Sequence, residues 1–529
     1  MSLKLSIPPV AGSSGVVLET RPRQVKEWLA ALPLANGFEA ARKLADALVA
    51  SRGVRLSEEA RLRFLGQYRH TIHALLPALR QEYEGRPLPL NGRPKQAAQL
   101  ARELLTELSN GYKLALMELA QRRFVLGGQK LTPLAAQRIL EGLGDLLDIC
   151  YETYAPTPAG LWAELHQVYW YAAREQHHET PLPAEEGGGS VNETYKRILL
   201  TALADPYRLL QGQLRVVRTY LTRNAGRALL QALAPADTPH GLFLVRLDED
   251  RPPRPLAHHS GATDARSDIL LNTLPFVRQL HEQLQAVEAG MPAADAGLPE
   301  AADPAARALL KRLLPQWGLG PRRVFQRLAA DQDAYICTGL SALYHTLAGA
   351  DDLLAEAAPA HQEEVEITVQ LARAGDRTGQ HATYNCATWH VVNESAGGVA
   401  LVNAPESVSR IRVGDVIGLR TAQGEWGIAA VRWIQAESAE RLQVGAQFIA
   451  PRALAVAVRP TITAADAPYQ PGLLLPAVPS LKQPERLLAA RGTFHPQREL
   501  ELRGAEGTRI VRAGQLLEQT DSFEIFLFA

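Results

Sequence analysis

Charge of either sign is not in excess in this chain: 56 basic residues balance 56 acidic ones, for a formal net charge of zero. A protein without a sustained positive field gains little from nucleic-acid polymers or anionic membrane surfaces, so both are set aside as general partners. Cysteine is scarce, with three in 529 residues, and Cys150, Cys337 and Cys386 lie far apart with no CxxC pair. That spacing indicates neither a disulfide framework nor a thiolate zinc site, and the three read as reduced thiols. Long apolar runs are missing too, as is an apolar core of signal-peptide length in the opening MSLKLSIPPVAGSSG. The expectation is a cytoplasmic protein without a membrane span.

The motifs of common enzyme classes are also wanting. His177, His178, His258 and His259 form adjacent pairs rather than the HExxH spacing that puts two ligands on one helix face. The glycines 187–189 lead into Ser190, Val191 and Asn192 without the lysine that a P-loop extends to phosphates, so they read as a loop before a helix. No GxSxG elbow appears. No catalytic residue, metal or cofactor is assigned, and a non-enzymatic protein is expected.

What is present divides by texture, and the length calls for more than one hydrophobic core. After a tail, 1–21, residues 22–318 are patterned mainly as helices, with a loop or β insertion at 240–262. Leu62, Leu65, Ile72, Leu76 and Leu79 form one stripe behind Ser57, a predicted N-cap. Ala97, Ala101, Leu104, Leu108, Tyr112, Ala115 and Leu119 form another, at three- and four-residue steps. Such faces bury one another, which predicts an all-α bundle that also offers a surface to a protein partner. Helix is expected up to about residue 235, again from Asp268 to Ala289, and last from Ala305 to Leu314, where Pro315 should close it. Beyond residue 380 short runs rich in valine, isoleucine and tryptophan, such as EWGIAAVRWI and LQVGAQFIA, signal strands of a small closed antiparallel β-barrel. The fold class is multidomain α+β: helical bundle, barrel over 319–455 with an insertion at about 350–382, and a β-rich extension over 456–529.

Two short stretches single themselves out. PRRVFQR, residues 321–327, places Arg322, Arg323 and Arg327 together, and on a helix the last two would share a face. Taken alone, that is most often solvated surface. NESAGG, residues 393–398, then supplies an amide, a hydroxyl and a glycine at Asn-x-Ser-x-x-Gly spacing, suited to hydrogen bonding a base edge or phosphate while the backbone comes close.

RRVFQR followed by NESAGG, and then by IRVGDVIGLR, AAVRWI and VGAQFI in that order, resembles the PilZ family of bacterial cyclic di-GMP receptors. The resemblance covers about Pro321 to Pro451. It implies that Arg323 and Arg327, helped by Arg322, grip the nucleotide, with Asn393 and Ser395 adding polar contacts and Gly398 giving clearance. Arginine suits the task, since its planar fork can bind guanine N7 and O6 bidentately, stack on the purine or clamp a phosphate. The interval between the two motifs is longer than the family's usual one, which raises the question whether the arginines reach the barrel. Family outputs include motility, pili, biofilm and secretion. The competing reading is a structural adaptor with a PilZ-like barrel and no nucleotide; packing alone, however, would not require both motifs.

Overall fold

The computed structural model describes residues 3–9, 18–121, 128–233, 238–299, 303–320, 326–349, 354, 386–404, 411–421, 424–437, 441–462, 468–479 and 482–529. They fall into two compact units, Met1–Arg86 with Leu90–Arg323, and Pro87–Pro89 with Val324–Ala529.

The first unit holds ten helices among the described residues: α1 Pro22–Ala30, α2 Gly37–Ser51, α3 Glu58–Tyr83, α4 Gly92–Gln121, α5 Gly128–Glu152, α6 Leu161–Arg174, α7 Val191–Leu203, α8 Gln213–Asn224, α9 Leu274–Glu288 and α10 Pro304–Gly318. Ser57 caps α3, its hydroxyl accepting from the Ala60 amide at 3.3 Å. The apolar stripes of α3 and α4, Leu62 to Leu79 and Ala97 to Leu119, pack into one core shared by the helices of the unit, with Leu76 partly buried at its margin. The glycine loop ends in a capping box, with the Glu193 amide donating to Ser190 and the Ser190 amide to Glu193, both at 3.2 Å. That satisfies two of the amides a helix start leaves without partners.

Three helical expectations are corrected. Residues 229–232 and 268–272 are strands rather than helix: β1 Leu229–Ala232, β2 Leu242–Arg246, β3 Arg254–Pro255 and β4 Asp268–Asn272 form an antiparallel sheet in the order β1-β4-β2-β3. One face of it, with Phe243, Val245 and Leu271, packs into the helical core, and Leu242, Leu244 and Leu270 form a small cluster on the other. Alternation over only five residues is too short to separate from one helical turn. Helix α10 also runs through Pro315 to Gly318. A proline inside a helix costs about 3 kcal/mol in lost hydrogen bonding and sterics. Here Trp317, fully buried with its indole N–H donating to the Leu200 carbonyl at 2.9 Å, offsets that cost.

The second unit is built from two closed six-stranded antiparallel barrels. The first comprises β5 Leu328–Thr338, β6 Cys386–Ser395, β7 Gly398–Asn403, β8 Val416–Thr421, β9 Gly427–Ala436 and β10 Leu442–Ala450, ordered β10-β7-β6-β5-β8-β9, with β9 and β10 closing the ring. Its interior is filled by Trp389, Val391, Leu401, Ile417, Val431, Ile434 and Val444. Helix α11, Leu340–Ala348, follows β5 directly. The extension read as β-rich forms the second barrel from β11 Leu454–Pro460, β12 Gln470–Leu475, β13 Arg486–Ala489, β14 Glu499–Gly504, β15 Gly507–Gln519 and β16 Glu524–Phe528. Closure leaves neither barrel an exposed sheet edge along its ring. Leu343 of α11, Val416, Ile428 and Ile449 share one buried cluster with Leu473, Leu488, Phe523 and Ile525 of the second barrel.

A candidate nucleotide site on the first barrel

Among the described residues strand β5 pairs with β8 through Ala334–Thr338 alone, whereas its pairing with β6 runs from Leu328 opposite Glu394 to Cys337 opposite Cys386. The first half of β5 therefore extends past β8 as a two-stranded ribbon with β6. The exposure pattern agrees, because Leu328, Ala329, Asp331, Gln332 and Asp333 are all exposed on consecutive or alternating positions. A register shift between Ala329 and Gln332 is matched by one on the other side of β6, between Val391 and Asn393. Bulges of this kind increase local twist and re-aim side chains.

The register answers the question of reach for one of the arginines. Arg327 immediately precedes Leu328, whose partner is Glu394, and Ala329 is opposite Asn393. Although the two motifs are remote in sequence, the antiparallel ladder brings Arg327 to the strand end that carries Asn393, Glu394 and Ser395. Gln326 and Arg327 are not helical and lead directly into β5. Arg322 and Arg323 lie outside the described residues, as does the insertion expected at 350–382 apart from Leu354.

Arg327 is exposed and Asn393 half-buried. Among the described residues neither side chain, nor that of Glu394, has a hydrogen bond or ion pair, whereas many described arginines, such as Arg432 and Arg459, form ion pairs. Ser395 and Gly398 are a closing pair of the β6–β7 hairpin, whose turn is Ala396 and Gly397. The Ser395 hydroxyl donates to the Gly398 carbonyl at 3.2 Å, and the Phe448 amide donates to the Gly397 carbonyl at 3.1 Å. Any side chain at Gly398 would overlap the Ala446 carbonyl oxygen and lie 3.1 Å from Cα of Gln447. The clearance expected of this glycine is thus taken up by strand β10, a packing demand that the spacing alone did not reveal. Gly445 is similar, its missing side chain making room for the Trp433 ring on the neighbouring strand.

Along the ribbon from the motif lies a group that the sequence reading missed. His390 reaches Asp331 at 3.3 Å and Asp333 at 3.4 Å, the latter its cross-strand neighbour. The only advance signal was the alternation of Asp331 and Asp333 in a strand, which places both on one face. On the far flank the Arg420 guanidinium lies over the Trp426 ring at 4.9 Å and the Tyr335 ring at 5.6 Å.

Elsewhere the titratable residues have structural employment. His166 is fully buried, its Nε2–H donating to the Arg251 carbonyl at 2.8 Å, which leaves Nδ1 to accept from the Tyr195 hydroxyl at 2.5 Å. Burial holds its pKa down to about 4, so the ring stays neutral. In the helical unit Arg80 pairs with Glu152 at 3.0 Å and Arg218 with Asp145 at 3.1 Å. Among the described residues no three His, Cys, Asp or Glu side chains converge as metal ligands, and no helix is long and apolar enough to cross a membrane.

Comparison with known proteins accounts for nearly the whole chain. Residues 23–236 match the family described as the N-terminal domain of the cyclic-di-GMP receptor FimW, and 456–529 match the FimW C-terminal β-barrel domain. Between them, 242–366 and 353–454 match the middle PilZ domain of that receptor. One relative, the cyclic-di-GMP receptor FimW of Pseudomonas aeruginosa, is 28% identical over 576 aligned residues, covering 99% of this chain and 93% of the relative. A helical region, a six-stranded barrel bearing the N-x-S-x-x-G hairpin and a second barrel follow one another in the order of the three matches, and the middle of the chain, within residues 242–454, carries the PilZ domain.

Proposed function

We propose that the protein is a cyclic di-GMP receptor whose site lies at the open end of the β5–β6 ribbon. Arg322, Arg323 and Arg327 come from the chain entering β5, and Asn393 and Ser395 from the hairpin end of β6. The observation that carries this reading is the register that sets Leu328 opposite Glu394, since it brings to one strand end an arginine and an amide that have no side-chain partner among the described residues. A ligand with two phosphates and two guanines supplies the partners that these groups lack. Asp331 and Asp333 would repel a phosphate and so bound the anion-accepting surface along the ribbon. Gly398 contributes by letting the hairpin close against β10. In this reading nucleotide binding shifts the domain arrangement, and the helical unit transmits the change to a protein partner in the cytoplasm, without catalysis. A ligand shifts such an equilibrium only by its differential affinity for the two arrangements.

A second reading has an observation in its favour. Ser395 bonds within its own hairpin and Gly398 is required by packing, so both belong equally to a structural adaptor that binds no nucleotide. Calorimetric titration of the full chain with cyclic di-GMP separates the two. The receptor reading expects binding that falls about five- to 150-fold in Arg323→Ala, as one bidentate contact is worth about 1 to 3 kcal/mol. It expects a smaller loss in Ser395→Ala. Absence of both heat and thermal stabilisation at roughly tens of micromolar ligand would leave the adaptor.

A further inference from the structure

Cys337 and Cys386, far apart in sequence, are direct cross-strand partners at the end of the β5–β6 ladder opposite the nucleotide motif. Directly opposed residues of antiparallel strands point to the same face, with Cα atoms about 4.5 to 5.5 Å apart. That lies inside the span of about 4.4 to 6.8 Å that a disulfide bridges without backbone movement. A third residue marks their convergence: the Thr346 hydroxyl, on α11, is 3.3 Å from Sγ of Cys337 and 3.9 Å from Sγ of Cys386.

The two thiols differ in a useful way. Cys337 is fully buried and Cys386 is exposed, so only the second can meet a reagent from solvent. A hydrogen bond from the Cys337 thiol favours the Cys386 thiolate, and the Thr346 hydroxyl and the Arg420 charge act in the same direction, against the effect of burial. The same hydrogen bond, together with burial, pushes the Cys337 thiol up. An exposed sulfur that ionises readily beside a buried one that does not is the arrangement of an attacking and a resolving cysteine.

We propose that Cys337 and Cys386 form a peroxide-sensitive dithiol that closes to an intrachain disulfide across β5 and β6. The Cys386 thiolate attacks one oxygen of a hydroperoxide; the O–O bond breaks, the leaving oxygen departs as water or alcohol once protonated, and Cys386 becomes a sulfenic acid. Cys337 then attacks that sulfur, the S–O bond breaks, and the hydroxide leaves as water with the proton from Cys337. The two sulfurs together lose two electrons, which the peroxide gains, and a dithiol reductant reverses the change. The third cysteine, Cys150, is buried with its thiol pushed up by burial, and stays out of the reaction.

The test uses the full chain and needs no nucleotide, so it stands apart from the receptor reading. After hydrogen peroxide, denatured protein should offer maleimide one thiol in place of the three in the sequence. Its intact mass should fall by two hydrogens, a non-reduced digest should join the Cys337 and Cys386 peptides, and a dithiol should restore all of it. Cys386→Ser, at an exposed strand end, should keep both remaining thiols through the same treatment. Cys337→Ser should stop at a sulfenic acid that dimedone traps on Cys386. Stable sulfenic acid on Cys386 of the unsubstituted chain, a disulfide between two chains, or three thiols surviving the peroxide would each overturn the proposal.

Discussion

On the second barrel the surface arginines have partners at home. Arg459 pairs with Glu501, Arg509 with Glu485 at 3.0 Å and Arg512 with Glu499 at 2.8 Å. Arg459 and Arg503 also cover the Tyr469 ring, at 4.4 and 4.5 Å. On the first barrel, which has the same number of strands and the same closure, Arg327 stands beside Asn393 and Glu394 with no partner among the described residues. A solvated arginine is ordinary on any surface, so the contrast lies in the neighbourhood. Along one barrel cross-strand charges neutralise one another, and at one end of the other the ladder gathers polar groups and leaves them unmatched. Exposed ion pairs of the first kind contribute about 0 to 1 kcal/mol each and serve mainly solubility. Unmatched groups brought together by a ladder are what a ligand can use.

The strongest way to break the contrast is to damage the first barrel itself. Gly398→Val should destabilise the second unit by about 3 kcal/mol, since its side chain must displace the β10 backbone, and the loss should be read as a lowered midpoint in denaturant. A midpoint within experimental error of the parent would show that β10 can yield there. Next in size, Arg327→Ala should weaken cyclic di-GMP about five- to 150-fold while changing stability by no more than about 0.5 kcal/mol. Arg503→Ala on the second barrel should leave binding unchanged, and equal effects of the two substitutions would erase the distinction between the barrels.

The smallest expected effect lies at the seam. Asp415 accepts from the Ser522 hydroxyl at 2.6 Å and from the Arg412 amide at 2.7 Å, yet burial raises its carboxyl above the ordinary aspartate range. The folded state therefore binds the proton more tightly than the unfolded one. The favourable contribution is fully present below the unfolded value of about 3.9 and is lost as pH rises through the higher folded value. Asp415→Asn cannot ionise, so urea midpoints of parent minus variant should decline over that interval. A difference that rises with pH would show that folding favours the ionised carboxylate of Asp415 instead.

The helical half and the barrel were legible for different reasons. Stripes such as Ala97 to Leu119 continue for many turns, and periodicity of that length admits one interpretation. The barrel was read instead from local texture and from a familiar order of motifs. What stayed hidden depends on pairing. The β1-β4-β2-β3 sheet uses strands of two to five residues, below the length at which alternation speaks. Pro315 misled because the burial of Trp317, a tertiary effect, decides whether that helix continues. Of the candidate site, residue types were visible at Arg327, Asn393 and Ser395, but not that β5 would carry one to the others. The reason for Gly398 was invisible as well, since it lies in Ala446 of a later strand. Cys337 and Cys386 were dismissed on spacing, the one measure that an antiparallel ladder overrides.

The cluster that joins Leu343, Val416, Ile428 and Ile449 to Leu473, Leu488, Phe523 and Ile525 also bears on how such a protein can be inherited. Recombination shuffles pieces that carry their own hydrophobic interior. A cut near residue 455 divides this one, leaving each daughter with a raw apolar face where the other had been. The two barrels are therefore expected to travel through descent as a single heritable block, and a gene that lost the last of them would lose the first barrel's foundation too.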